Sequence, residues 1–564
     1  PPSFVSKPKP IERPAVTRAA IAVDRAMNHL IKVGGISVIA AVFGILVFIL
    51  WQILPLFRGA RVEPIATLDL PAGDYRALGA DEWTELPFVA DADGYVTFLD
   101  LSNDGARDRR PLPLPAGTSI AALSYSARLQ QFALGTTSGE VAIVQVRYTA
   151  GYTQEQRRVT ASLVAGPAFK IGHPGAPIAA VQQAGSEKGA MLAVLQDVEG
   201  RRECHVATLT QKRTLAGAGR LVLDRQMDAT RLIAGRPVAV LVNSRMDGLL
   251  AVTDDDRVHY IFLGPAGLVL RQTFRPFADH PGDGISTADF LFGDDSVVFT
   301  SREGRNVVFS LFPLGADGTR LFSQTKAFPD LPGPGIAFAP SLRNKAFFVA
   351  SRHDLSLRFS TTESVRWQSR VPYTVRLAAL GGKYDRLLVL DDQHRLHLHA
   401  LRDSHPEAGL RAFFGRIWYE GSAAPKYEWQ STGGTDEFEP KLSMVPLLLG
   451  TLKGTLYAMI FSVPLALLAA LYTSQFAHPS FKRWIKPAME IMASLPSVIL
   501  GFLSALWLAP LLETRVPSVL LMSAAIPAVT LAFGFLVSRL PYAIRCRVHP
   551  GYEFLAVVPL VLCA

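Results

Sequence analysis

The sequence predicts a multi-domain membrane protein: an α-helical transmembrane bundle that carries an all-β extracytoplasmic domain, a seven-bladed β-propeller. Three observations predict it. Hydrophobic residues make up 49% of the 564 and charged residues 19%, and the apolar excess sits near residue 40 and after Met444. That is the distribution of a membrane protein with a soluble insert. Between those regions, short strand-like stretches with Gly and Asp turns recur about every 50 residues, near the repeat length of propeller blades. Lys and Arg gather beside the apolar runs, and their bias agrees with the number of spans.

Residues 1–32 begin polar and Pro-rich and become helical in character after Pro14. Lys7, Lys9, Arg13, Arg18, Arg25 and Lys32 outnumber Glu12 and Asp24, which keeps this end in the cytoplasm. Residues 33–57 form the first span, with Trp51 near its outer interface, where Trp is favoured. No cleavable signal peptide is evident, since no small-residue site follows the apolar run.

Residues 62–435 hold the extracytoplasmic β domain. Seven apolar hairpins mark it, at 88–99, 132–144, 192–200, 250–262, 297–309, 346–358 and 387–398. A propeller of about seven four-stranded blades accounts for them. The Gly-His and Trp-Asp signatures of WD40 repeats are missing, so period and hairpin pattern carry the expectation. A pair of large β-sandwiches is the alternative.

Residues 444–564 are the membrane region, with spans at about 447–473, 488–512, 519–538 and 553–564. The loops Phe481–Pro487 and Arg539–Arg547 are basic. With the N-terminus inside, span parity puts the β domain outside and both basic loops inside, as charge bias requires. The chain starts at Pro1 and stops inside an apolar run at Ala564, so the natural protein is expected to continue at both ends.

A net charge of +9 does not indicate nucleic acid, because no polybasic run exists away from the membrane segments. Cys204, Cys546 and Cys563 are too far apart for a zinc pattern and form no disulfide framework; Cys204 reads as a small buried apolar residue. No Gly-rich loop ending in Gly-Lys-Ser/Thr occurs, and no zincin pair or nucleophile elbow. The chain is therefore expected not to be an enzyme and to hold no cofactor or metal. His394, His397 and His399 lie close, but without a carboxylate or Cys at ligand spacing a metal is the minor reading. Asp91–Gly94 and Asp254–Asp256 lack the Glu of an EF-hand and read as hairpin turns.

Five residues stand out as transport-helix candidates. Glu490 follows Pro487 and the basic loop; it reads as a first-turn carboxylate at a helix N-terminus, or as a contact for a cytoplasmic partner. Lys453, near the outer end of its span, reads as a snorkelling side chain or as an attractor of anions. Pro496 removes a helix hydrogen bond, Ser497 can bond the freed carbonyl, and Gly501 admits a neighbouring helix. Packing or a transport path would each use that trio.

At these residues the sequence resembles a family. Pro446–Ala458 with Val463–Tyr472, and Lys486–Gly501 with its Glu, Pro-Ser pair and Gly, resemble the core helices of phosphate ABC importer permeases of the PstC type. Here the form is enlarged by a domain between the first two spans. The resemblance covers 444–512 well and 33–57 loosely. It implies an inner-membrane permease subunit that imports phosphate by alternating access. Its partners would be a second permease subunit, an ATPase dimer binding ATP and Mg, a periplasmic phosphate-binding protein and membrane lipid, with no nucleic acid. The family's coupling helix and its later Arg- and Glu-bearing helix find no match, so translocation and coupling residues are expected beyond Ala564. A membrane-anchored propeller sensor or scaffold, or a permease for another oxyanion, are the rival readings.

Overall fold

Each of the seven apolar hairpins falls on the middle strands of a four-stranded antiparallel sheet in a computed structural model of the chain, the third (192–200) covering one of them and the turn that follows. The structure describes residues 18–103, 105–153, 156–186, 189–212, 220–314, 318–435, 437–539, 541 and 558–559. Expectations for 1–17, for the basic segment after Arg539, for the run 553–564 apart from 558–559, and for Cys546 and Cys563 lie outside them. The chain divides into two compact units between Leu447 and Leu448.

In the first unit, six sheets use consecutive strands, over 75–111, 120–170, 178–228, 237–274, 285–328 and 337–370. The seventh takes three strands from 375–402 and its outermost strand from Arg61–Asp69, which pairs antiparallel with Arg395–Arg402. The architecture is a seven-bladed β-propeller whose last blade is closed by the strand that precedes the first.

Seven apolar clusters, one between each pair of neighbouring blades, hold the ring. Strand alternation builds them: Phe88 and Ala90 face the second blade, whereas Val89 between them packs on Leu388 and Leu390 of the seventh. The second strand of a blade is thus buried on both faces. Its sequence is a continuous apolar run, which made the hairpins visible. An outer strand such as Ala106–Pro111 is largely exposed and polar, so it carries no such signal.

The Asp-rich turns are structural. The Asp91 carboxylate accepts the Tyr95 amide at 2.8 Å and pairs with Arg109 at 2.9 Å. Asp391, Thr136 and Ser301 accept turn amides in the same way at 2.8–2.9 Å. Gly139 has φ +81°, and a Cβ there would lie 2.8 Å from the His173 carbonyl, so only Gly fits. Cys204 is fully buried between blades three and four, and burial pushes its thiol up to about 12.

The first unit also contains helix α1 (Arg18–Ile53), which runs without a break through the boundary expected at 32–33. Arg61 lies opposite Arg402, so the chain enters and leaves the propeller at one edge of blade seven. Arg366 staples the two crossings: its guanidinium donates to Asp403 at 2.6 Å and to the Arg58 carbonyl at 2.8 Å. Tyr384 donates a further bond to Asp403 at 3.0 Å.

The β domain was expected to reach 435, but the blades end at Arg402. Closure by Arg61–Asp69 completes the seventh sheet, so the following residues cannot extend it. They form a strap, 403–443, with the short helix α2 (Leu410–Phe414) and a ribbon pairing Trp429–Gln430 with Lys441–Leu442.

Helix α3 (Val445–Gln475) follows and continues through Pro464. In the second unit, α4 (Pro479–Ser494) is followed by α5 (Ser497–Leu503), a π-helical turn (Ser504–Leu508), α6 (Ala509–Glu513) and α7 (Val516–Ser538). Among the described residues, α1 with its 3-10 extension, α3 and α7 are long and apolar enough to cross a membrane. The span expected at 488–512 is instead broken: Pro479–Ser494 and Ser497–Glu513 meet at an 85° bend.

Candidate functional site

The break lies on the residues that the sequence singled out. Leu495, held before a proline, adopts extended angles (φ −71°, ψ 130°) and ends α4. Pro496 (φ −57°, ψ 126°) caps α5, its missing amide falling where no helix bond is needed. The Pro496 carbonyl accepts the Ile499 amide at 3.0 Å and so opens the new helix. Two expectations are corrected here. Pro496 separates two helices rather than kinking one. The hydroxyl that bonds back to a carbonyl near the break is that of Ser494, on Ile491 at 2.6 Å, whereas Ser497 starts α5.

Glu490 also stands elsewhere than expected. Helix α4 begins at Pro479, capped by His478, whose ring accepts the Ser480 amide at 3.3 Å. Pro487 is therefore inside the helix, and Glu490 lies near its C-terminal end, where the helix dipole does not favour a carboxylate. A Cβ built at Gly501 meets nothing within 4 Å. Lys453 lies in α3 with its ammonium 5.7 Å from the Tyr457 ring, a same-face pair one turn apart. The π-helical turn Ser504–Leu508, directly after α5, had no signal in the sequence; such turns concentrate at functional positions.

In the first unit the strap crosses the propeller face formed by the turns between first and second strands. There Lys345, 3% exposed, bonds Glu420 of the strap at 2.5 Å and also the Phe292 carbonyl. Ser296 donates to Glu420 at 2.6 Å, while Glu439 accepts the Glu420 amide at 2.9 Å and the Thr361 hydroxyl. Burial opposes the charge on Lys345, but Glu420 and Glu439 outweigh it and hold the ammonium up. Nearby Lys326 lacks so close a counter-charge, and burial pulls it down.

On the same face a cavity of ≈ 320 Å³ opens among the innermost strands, lined by Ser124, Gln183, Asp289 and Asp294, with Arg128 at its rim bonded to Glu437 of the strap. Burial, with a lesser push from Asp294, raises Asp289 to about 7. The folded protein therefore keeps a proton that the unfolded chain releases above pH ~4. Asp289 costs stability increasingly from there to pH 7 and in full above it. Asp289→Asn is expected to raise the thermal midpoint at pH 8 and leave it unchanged at pH 3.5; equal shifts at both would mean that charge is not the cause.

Among the described residues, His394, His397 and His399 are not a group whose ligand atoms converge. His397 gives both ring nitrogens to protein, to Asp391 at 3.0 Å and Thr67 at 3.2 Å, and stacks on Tyr373. The structure instead brings together His173, Glu203 and His205, whose ligand atoms lie within 4.8 Å of one another. Thirty residues separate the first two in sequence, which hid the group. The alternation Glu203-Cys204-His205 on a strand was its one visible half.

No protein-family model matches the sequence. A curated relative, the probable ABC transporter permease protein YqgH of Bacillus subtilis (strain 168), is 26% identical over 72 residues, 13% of this chain and 23% of that protein. The similarity is to an ABC permease, it is weak, and it spans under a quarter of the relative. Among solved structures, the Cps50 (Swd1) β-propeller domain of Myceliophteria thermophila is 13% identical with TM-score 0.40, covering 60% of this chain and 99% of that one. Raptor of Chaetomium thermophilum is 12% identical with TM-score 0.43, covering 62% of this chain and 30% of that one. The propeller assignment stands on this chain's own seven sheets.

Proposed function

We propose that the chain is the membrane-spanning permease subunit of an ATP-driven importer that moves inorganic phosphate from periplasm to cytoplasm by alternating access. The observation that supports it best is the 85° break inside an apolar segment, at the Pro496-Ser497 pair that resembles phosphate-type permeases. A helix that merely anchors a domain gains nothing from interruption. Backbone groups freed in hydrocarbon are tolerated only where other helices cover them or a polar path passes. The short similarity to an ABC permease points the same way.

In this reading a second permease subunit covers the broken helices, and a separate ATPase dimer with ATP and Mg supplies the energy, since this chain has no phosphate-binding loop. Lys453 contributes positive charge toward the outer end of α3, and Glu490 shares helix α4 with the basic segment 481–487 on the cytoplasmic side. Both membrane-linked ends leave the propeller at one edge, by Arg61 and Arg402. The opposite face, built from the middle hairpin turns and the links between blades, is the docking face for a periplasmic phosphate-binding protein. The setting is a bacterial inner membrane.

Labelled phosphate uptake in a strain lacking the natural gene, with that gene then restored, tests the proposal. Restoration of uptake that excess phosphate suppresses and sulfate or molybdate does not is the expected result. Suppression by another oxyanion would reassign the substrate. Unchanged uptake of every oxyanion on deletion would overturn the permease reading in favour of an anchored propeller scaffold.

A further inference from the structure

We propose that His173, Glu203 and His205 bind one divalent transition-metal ion of the zinc class on the propeller. The His173 Nε2 lies 2.9 Å and the His205 Nε2 3.1 Å from the same Glu203 oxygen, Oε2. Two imidazoles thus turn the same nitrogen toward one point beside a carboxylate. Around an ion with bonds of ~2.0–2.1 Å, tetrahedral ligand atoms stand ~3.4 Å apart. The observed separations fall short of that by a few tenths of an ångström, so a small rotation of the Glu203 side chain makes room.

Both halves of the site are held before any ion arrives. Glu203 and His205 are alternate residues on one face of the strand Arg201–Lys212. His173 lies on the link between blades two and three, clamped by the fully buried Gln196. The Gln196 side chain accepts the His173 amide at 2.9 Å and donates to its carbonyl at 3.2 Å. The two imidazole rings meet edge to face at 5.6 Å. The His205 side chain is 8% exposed and that of His173 55%, so the group is closed on one side and open to solvent on the other.

Two imidazoles and one carboxylate suit zinc, cobalt, nickel or copper better than calcium or magnesium, which prefer all-oxygen shells. Three protein ligands leave a fourth position for water or for a side chain of a docked protein. Bound there, the ion clips the inter-blade link to blade three on the face away from the membrane-linked ends. This inference does not depend on the transport reading.

The test is cobalt titration of the full chain, purified without a histidine tag in detergent micelles, followed by visible ligand-field absorption. One ion per chain, displaced by zinc, is the expected result. His173→Ala, at an exposed link position, and Glu203→Gln are each expected to weaken binding at least ~100-fold with the melting curve of the metal-free protein retained. His280→Ala, on another link, should leave affinity unchanged. Absence of stoichiometric cobalt binding by the unaltered chain, or equal binding in His173→Ala and Glu203→Gln, would overturn the proposal and leave a hydrogen-bonded His-Glu-His group.

Discussion

On the proposed permease function, Pro496→Ala is expected to cut phosphate uptake at least tenfold while the amount of protein in the membrane stays the same. Proline disfavours a helix interior by ~3 kcal/mol relative to alanine. Replacing it removes the restriction on Leu495 and restores a backbone donor at the break, so Pro479–Ser494 and Ser497–Glu513 can join. A shift of ~3 kcal/mol changes the ratio of joined to bent forms ~100-fold. Spin labels at Met489 and Trp507 would report it: at 1.5 Å per residue they stand ~27 Å apart along a straight helix and ~20 Å apart across a right-angled break. Pro464→Ala is the control, because α3 already runs unbroken through Pro464; its effect on uptake should be under ~2-fold. A straightened helix with full uptake would show that the bend lines no path.

The parts of the fold that showed in the sequence were those where one physical force acts alone. The inner hairpins were legible because burial on both faces writes an apolar run, as in Ala346–Ala350. The closing strand Arg61–Asp69 was not, since its residues are largely exposed and its partner Arg395–Arg402 lies more than three hundred residues away. The strap was missed for a related reason: Glu420, Glu437 and Glu439 are unremarkable in sequence and gain meaning only from Lys345 and Arg128 across the fold. Pro496 was legible as an interruption, but its geometry was not. A proline kinks a helix when that helix resumes on the same axis, and here Leu495 turns extended first. Sequence proximity also misled, drawing attention to His394, His397 and His399 while the convergent histidines lay on different elements.

Lys345→Ala is expected to destabilise the propeller by about 3–5 kcal/mol, the cost of leaving a buried charge without its partner. Lys345 is the cation that joins blade six to Phe292 of blade five and to Glu420 of the strap. Without it Glu420 and Glu439 keep hydroxyl and amide hydrogen bonds, with buried Lys326 the remaining lysine acting on them. For roughly 340 residues of blades, at ~2.1 cal/mol/K of unfolding entropy per residue, the thermal midpoint falls by ~4–7 °C. The pH dependence separates charge from packing. Burial opposes the charge but Glu420 and Glu439 hold Lys345 above its ordinary value, so in the unaltered protein this contribution is complete below the ordinary lysine range and is lost as pH rises from there through the raised value. In the variant, burial pushes Glu420 upward with its hydrogen-bonded ammonium gone, so protonation relieves the strain as pH falls. The deficit should be largest near pH 8 and shrink toward pH 5; an equal loss at both would assign it to packing. Lys345→Met combined with Glu420→Gln should recover most of the stability, because the pair is removed rather than broken. What that double variant should not recover is the fixed crossing of the strap. Amide exchange along 415–443 should therefore stay faster than in the unaltered protein even where the melting temperature is restored.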